Sequence, residues 1–329
     1  MNDEAVTYLS KLRKLTVLSL RDTNNISSYG FATLLHALPD LLSLGHCDLI
    51  FASLGQFEHC TKHNHRDLKL QELLSDSPVT EEDLELMTTY CPRLTRISIV
   101  YRPHESTDQV SCPHLSHLNN LPRLRDVSIT SADFFNHSVF SALKMLGERL
   151  TRLELVDCDE MNIVSLIMIG EYCQQLSSLT ISRCHFNVDS EQRNKINELC
   201  SLQTKFRSTP FFKLQELKFI LTSPVHVLMI KYPLHHCHNL EVFSLELSFT
   251  ALDDGFVNTL VEWSSWQRLK SFDLRNFSDL TLMSVNTILT SCPVIRRVGD
   301  LSTWGRVERE QLELFKQEIV RRNWDFEIS

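Results

Sequence analysis

"LTRLELVDCDEMNIVSLIMIGEYCQQLSSLTISRC", residues 150–184, carries one short phrase twice. Leu150, Leu153 and Leu155 spell L-x-x-L-x-L, and Leu176, Leu179 and Ile181 repeat it. Apolar residues that alternate over so short a run suit a strand, whereas "NIVSLIMIGEYC" (162–173) between the two copies has helical spacing. The unit therefore reads as strand, turn, helix and return.

The phrase recurs along nearly the whole chain. Its first positions are Leu15, Leu41, Leu70, Leu94, Leu124, Leu150, Leu176, Leu214, Leu240, Leu269 and Ile295. Most steps are 24 to 30 residues long, and the step from Leu176 to Leu214 is 38. The units at Leu41, Leu70 and Ile295 are degenerate, with His46, Ser75 and Asp300 at the third apolar position. Helical spacing returns in "DLELMTTYC" (83–91), "DDGFVNTLVEW" (253–263) and "TLMSVNTILTSC" (281–292). One such unit cannot bury its own apolar side, so neighbours must stack around a shared core. Strands stack about 4.7 Å apart and helices are about 10 Å across, which puts the strands on the inside of a curve. The expectation is an α/β solenoid, or horseshoe, with a parallel sheet on the concave face and helices on the convex face. About 11 repeats fill residues 1–301. Residues 302–329, with the amphipathic "REQLELFKQEIVRRNWDFEI" (309–328), are expected to cap the last one.

Two recurring slots hold six of the ten cysteines. Three residues before each first position stand Leu12, Leu38, Cys91, Leu121, Gly147, Cys173, Phe211, Cys237, Trp266 and Cys292, with Asp67 the one gross departure. Eight residues after it stand Thr23, Ala132, Cys158, Cys184, Thr222 and Ser248, all small. A free cysteine behaves as a small buried hydrophobe, which suits both slots. Cys173 and Cys184 are separated by an extended strand of roughly 20 Å, too far for a disulfide.

"LTRLELVDC", "CQQLSSLTISRC", "CPRLTRISI" and "CPVIRRV" together resemble the cysteine-containing leucine-rich repeat of F-box/leucine-rich-repeat proteins, from residue 12 to about residue 301. That resemblance implies a repeat domain that holds a substrate while an N-terminal F-box docks to the Skp1 subunit of a cullin-RING ubiquitin ligase. Fourteen residues precede Leu15, too few for an F-box, so docking to a Skp1/cullin complex requires an F-box supplied from elsewhere.

Composition agrees with a folded interaction protein. The 329 residues are 43% hydrophobic and 22% charged. Against 41 acidic residues there are 33 Lys and Arg, a formal net charge of -8, and no run of like charge concentrates into a tail; a nucleic-acid binder would normally show a basic face, so nucleic acid is not the expected partner. The N-terminus lacks the features of a signal peptide, and the longest apolar run, "IVSLIMI" (163–169), is too short to span a bilayer. The expected location is cytoplasmic or nuclear, where ten cysteines remain thiols. The acceptors at Asn25, Asn136 and Asn276 would matter only on the secretory route.

No phosphate-cradling glycine loop, nucleophile elbow or H-E-x-x-H occurs, so the chain is not expected to be an enzyme and no cofactor is implied. His59, Cys60, His63 and His65 in "HCTKHNH" could in principle close a zinc shell, but their crowding fits a polar loop better. "HHCH" (235–238) is weaker because Cys237 already fills a repeat slot, so no metal site is expected. The segment at 186–212, about a dozen residues beyond the common unit, reads as either a binding loop or a surface excursion, and the run around Cys112 as a helix with an imperfect approach.

With the leucines inward, the alternate residues face the concave side. Most are small and polar. Val100, Val156 and Ile220 interrupt them with apolar surface, beside Glu154, Lys218, Glu246 and Arg275, with Tyr101 and Arg183 at the edge. An apolar centre with a charged surround is the build of a protein interface. The expected function is a non-catalytic scaffold that binds a protein or peptide there, as substrate receptor of an SCF-type ubiquitin ligase. The alternative is a regulatory or assembly scaffold unrelated to ubiquitin.

Overall fold

A computed structural model describes residues 2–20, 25–45, 49–61, 67–101, 115–135, 139–187, 210–222, 227–248, 253–264, 266–277, 279–299, 301–321 and 326–328. They form two compact units, Met1–Leu150 and Thr151–Ser329.

The first unit alternates α1 (Asp3–Leu9), β1 (Val17–Ser19), α2 (Ser28–Ala37), β2 (Ser43–Gly45), α3 (Ile50–Thr61), β3 (Glu72–Leu74), α4 (Glu81–Tyr90) and β4 (Arg96–Val100). A 3-10 turn (Leu115–Asn120), β5 (Asp126–Thr130) and α5 (Val139–Leu146) complete it. Its strands pair in parallel, and the third position of each repeat meets the third position of the next: Val17, Ser43, Glu72, Arg96, Asp126.

The second unit follows the same plan. It comprises β6 (Arg152–Val156), α6 (Ile163–Tyr172), β7 (Ser178–Ser182), β8 (Glu216–Leu221), α7 (Val227–His236), β9 (Val242–Leu247) and α8 (Asp254–Trp263). Then come β10 (Ser271–Arg275), α9 (Leu282–Ser291), β11 (Arg297–Gly299), a 3-10 turn (Leu301–Thr303), α10 (Arg309–Arg321) and β12 (Glu327–Ile328). Parallel register again joins equivalent positions: Arg152, Ser178, Glu216, Val242, Ser271, Arg297 and Glu327. This is the α/β leucine-rich-repeat solenoid expected from the spacing, and even the degenerate units at Leu41, Leu70 and Ile295 supply a strand. In the Leu70 unit the buried Ser75 takes the third apolar place and accepts the Ser77 N–H (3.1 Å).

Two local devices repeat. At the start of each strand, the carbonyl of the second repeat position accepts two successive N–H groups from the following repeat. Thr151 accepts Ser177 (2.8 Å) and Ser178 (3.1 Å), Ser177 accepts Gln215 and Glu216, and Gln215 accepts Glu241 and Val242. Thr16, Leu42, Gln71 and Thr95 do the same in the first unit. At the end of each helix, Cys91, Cys173 and Cys292 donate their backbone N–H to Met87, Ile169 and Ile288, each at 2.9 Å, and their carbonyls accept from Leu94, Leu176 and Ile295. The six described cysteines, Cys91, Cys158, Cys173, Cys184, Cys237 and Cys292, are all buried free thiols. Burial pushes Cys91 and Cys173 up to about 12. The Cys158 thiol, with burial, pushes the stacked Cys184 thiol up as well.

The strands leave the sheet in two ways. In four repeats the eighth residue adopts a left-handed conformation: Ser131 (φ 58°), Asp157 (49°), Arg183 (53°) and Asn276 (65°). That residue turns outward, so its successor, Ala132, Cys158, Cys184 or Phe277, points back into the core. β8 and β9 instead run one residue further and bury Leu221 and Leu247 in that eighth position. Thr222 and Ser248, expected in the small buried slot, are consequently exposed.

Helix starts are tied to one another within the second unit. Asp254, in the first turn of α8, accepts hydrogen bonds from the N–H (3.0 Å) and hydroxyl (2.7 Å) of Thr281, the N-cap of α9, and from the Ser284 hydroxyl. Burial works against the charge, but these bonds outweigh it and hold the Asp254 carboxyl below its usual range. Asp254→Ala is expected to lower the unfolding free energy by about 1–2 kcal/mol, read as a lower urea midpoint with an unchanged slope.

Candidate functional site

The helices cover one face of the sheet, and the other is built from alternate strand residues. In the second unit it has three rows, because parallel register lines up equivalent positions on strands about 4.8 Å apart. The middle row reads Glu154, Thr180, Lys218, Ser244, Asp273, Gly299. The row at the strand ends reads Val156, Ser182, Ile220, Glu246, Arg275. Beneath them Leu153, Leu155, Leu179, Ile181, Leu217 and Phe219 are at most 1% exposed, so the face rests on a rigid floor.

Six of the residues nominated from sequence share this face: Glu154, Val156, Lys218, Ile220 and Glu246 are half-buried, and Arg275 is exposed. Val156 and Ile220 flank the buried Ser182, which makes a shallow, largely apolar strip across three strands. Glu154 and Lys218 lie two strands apart with Thr180 between, about 10 Å, too far to pair directly. Neither makes a hydrogen bond or ion pair among the described residues, so one free carboxylate and one free ammonium point away from the sheet. The other charges are tethered. Glu246 accepts from the Asn276 amide (3.2 Å), and Arg275 holds Asp273 (Nε at 3.1 Å).

Arg183 stands on the rim. Its guanidinium grips Asp157 through two bonds (2.8 and 2.7 Å), and this hydrogen bonding raises its pKa. Both partners sit on left-handed backbone at the same exit slot of adjacent repeats. With both side chains near half exposure the pair contributes orientation more than stability, about 1 kcal/mol or less.

Val100 and Tyr101 belong to the first unit. Val100 ends β4 opposite Thr130 and is half-buried. Tyr101 is a correction: its N–H donates to Thr130 (2.9 Å), its side chain is 3% exposed, and it belongs to the core. Leu301, the seventh position of the last repeat, where alternation predicts a face residue, is likewise buried, because β11 stops at Gly299 and the 3-10 turn folds Leu301 inward. Asp273, at the fifth position of its repeat, lies on the face as alternation predicts, yet its Oδ1 is sheltered without a hydrogen-bond partner. The carboxylate lies against Gly299 of the next strand, where an added Cβ would come within 2.9 Å of Oδ1. The sequence signal is a glycine directly following an acidic residue in successive repeats of one row.

Of the metal candidates, His63 and His65 and the side chains of His59 and Cys60 lie outside the described residues, as does Cys112. No group of three or more potential ligands occurs among the described residues. In the 235–238 run, the Cys237 side chain is in the core, and the His236 ring packs edge-on against Tyr232 (5.0 Å) and His235 (5.3 Å).

No family model matches the sequence, and no curated protein does. Among solved structures, the chain is similar to one in the crystal structure of the Rad7 and Elc1 complex in yeast, at 15% identity. That match covers 93% of this chain and 75% of the other, with a TM-score of 0.55. It is also similar to one in the crystal structure of the TLR13-ssRNA13 complex, at 17% identity over 89% of this chain, with a TM-score of 0.45. The chain spans 36% of the length of that second structure. The likeness to the chain of the Rad7 and Elc1 complex, at 15% identity, shows the fold alone.

Burial, with the neighbouring His235 and His238 acting in the same direction, lowers His236 from 6.5 to about 4. The unfolded chain therefore binds the extra proton between these values, and the stability of the neutral form is complete above about pH 6.5 and lost as pH falls toward 4. His236→Phe is expected to flatten the rise of unfolding free energy across pH 4–6.5, measured by urea titration at each pH.

Proposed function

We propose that the chain is a non-catalytic interaction scaffold that holds a protein partner on the open sheet face of its second unit. The observation that carries this is the juxtaposition of the unpaired Glu154 and Lys218 with the Val156–Ser182–Ile220 strip, all on backbone fixed by the parallel register. Solvated free charges beside apolar surface supply registration and desolvation together, which suits a macromolecular partner better than a reaction centre. Residues 302–329 cap the last repeat in this reading, which β12 on the edge of β11 supports.

The finer reading is a substrate receptor of an SCF-type ubiquitin ligase, in cytoplasm or nucleus, with Skp1 and cullin engaged through an F-box supplied in the native assembly. The cysteine-bearing repeats support it. So does the fold shared with the Rad7 chain, whose solved complex contains Elc1. A protein rather than a nucleic acid is the proposed ligand, since the formal charge is -8.

Glu154→Lys, Val156→Asp and Ile220→Asp combined is expected to leave the thermal midpoint within a few degrees while abolishing partner capture in cells. Capture unaltered by these changes rejects the open face as the site. Skp1 and cullin in the wild-type capture support the ligase role, and their absence from capture by the full-length protein rejects it.

A further inference from the structure

A second surface of the second unit is built for a ligand of different chemistry. Where β7 to β10 begin, the residue just before the first leucine of each repeat forms a row: Gln175, Lys213, Asn239, Arg268. Together with Ser177, Gln215 and Phe212 these line an open groove of about 440 Å³, within the size range of ligand pockets.

Three features of the fold present Phe212 there. Gly170 of α6 leaves room for Pro210 and Phe211, since an added Cβ would fall 2.8 and 2.9 Å from them. Phe211 adopts φ 55°, costly for an aromatic residue, and places its ring in the core against Tyr232 (6.2 Å). Its neighbour is thereby turned outward. The Asn239 amide donates to the Phe212 carbonyl (2.7 Å) and fixes that backbone, leaving the Phe212 ring 54% exposed.

The charges are one-sided in a chain of formal charge -8. Lys213 donates to the Gln175 side-chain oxygen and keeps two N–H groups free. Arg268 has no ion pair among the described residues. The described lining holds no carboxylate, and Glu241, at the edge position of the next repeat, is neutralised by Lys270 (2.6 Å). The remaining lining is amide and hydroxyl, groups that match a peptide backbone. Four strands at about 4.8 Å spacing make the row about 15 Å long, the reach of four to five extended residues.

We propose that this groove binds an acidic extended peptide that lays an apolar side chain on Phe212 and its carboxylates against Lys213 and Arg268. Two cations beside one aromatic ring are too few for the continuous phosphate track of a nucleic-acid site. The groove stands apart from the open sheet face and does not rest on the function proposed there.

The test is fluorescence anisotropy on the full chain, using a fluorescein-labelled hexapeptide of two central apolar residues (leucine, phenylalanine) flanked by glutamate and aspartate. A lysine-flanked counterpart serves as control. The acidic probe is expected to bind, weaken at about 0.5 M salt, and lose about tenfold or more in affinity with Lys213→Glu, Arg268→Glu or Phe212→Ser. These exposed substitutions should leave the melting temperature unchanged. The Glu154/Val156/Ile220 variant should retain the probe, which separates failure of one surface from failure of the other. No binding by the wild type, equal binding of the basic probe, or unchanged affinity in the charge-reversal variants overturns the proposal. Displacement of the probe by oligouridylate, with RNA binding lost in the same variants, overturns it in favour of a nucleic acid.

Discussion

One carbonyl per repeat fixes the arrangement within each unit. Because the second repeat position accepts two consecutive N–H groups from the next strand, the third position of each repeat can lie only beside the third position of its neighbour. A slip of one residue would break both bonds and turn every leucine outward. Register is thus set at the start of the strand, independently of how much chain has passed since the previous one. The steps of 26 residues from Leu150 to Leu176 and 38 from Leu176 to Leu214 end in the same alignment.

That constraint separates the two jobs of a repeat. Buried positions are satisfied by any close-packed leucine, isoleucine, valine or phenylalanine, and the alternate positions are left to vary. A row of unlike residues such as Glu154, Thr180, Lys218, Ser244 and Asp273 can then be written across one sheet face without disturbing the core. The strand-start groove uses the same freedom one residue earlier. There the lengthened connection ahead of β8 ends in a pair of phenylalanines that part company, one to the core and one to solvent.

The sequence carried most of this. Spacing located β1 to β11 but not β12, the helix-end slot predicted Cys91, Cys173, Cys237 and Cys292 as buried, and alternation put Glu154, Val156, Lys218 and Ile220 on one face. Where it failed, the reason was backbone phase. Leu301 follows the face count, but β11 ends at Gly299 and the turn after it reverses that count; Tyr101, placed at the rim, stands in an eighth position that keeps the inward alternation of its strand. Thr222 and Ser248 failed the opposite way, because β8 and β9 continue through Leu221 and Leu247. The eighth position itself distinguishes the two exits, polar in Ser131, Asp157, Arg183 and Asn276, and leucine in the other pair. Phe212 was invisible for another reason: its exposure follows from the absent side chain of Gly170, far away in sequence.

The helix-end cysteines hold a consequence for watching the molecule come apart. Thiols that titrate near 12 carry almost no thiolate at neutral pH, and their burial bars a reagent from the sulfur. Each becomes alkylatable only when its own helix lifts from the stack. Cys91 in one unit and Cys173 and Cys292 in the other are therefore native clocks, and mass spectrometry of their alkylation rates would time the opening of individual repeats without any engineered label.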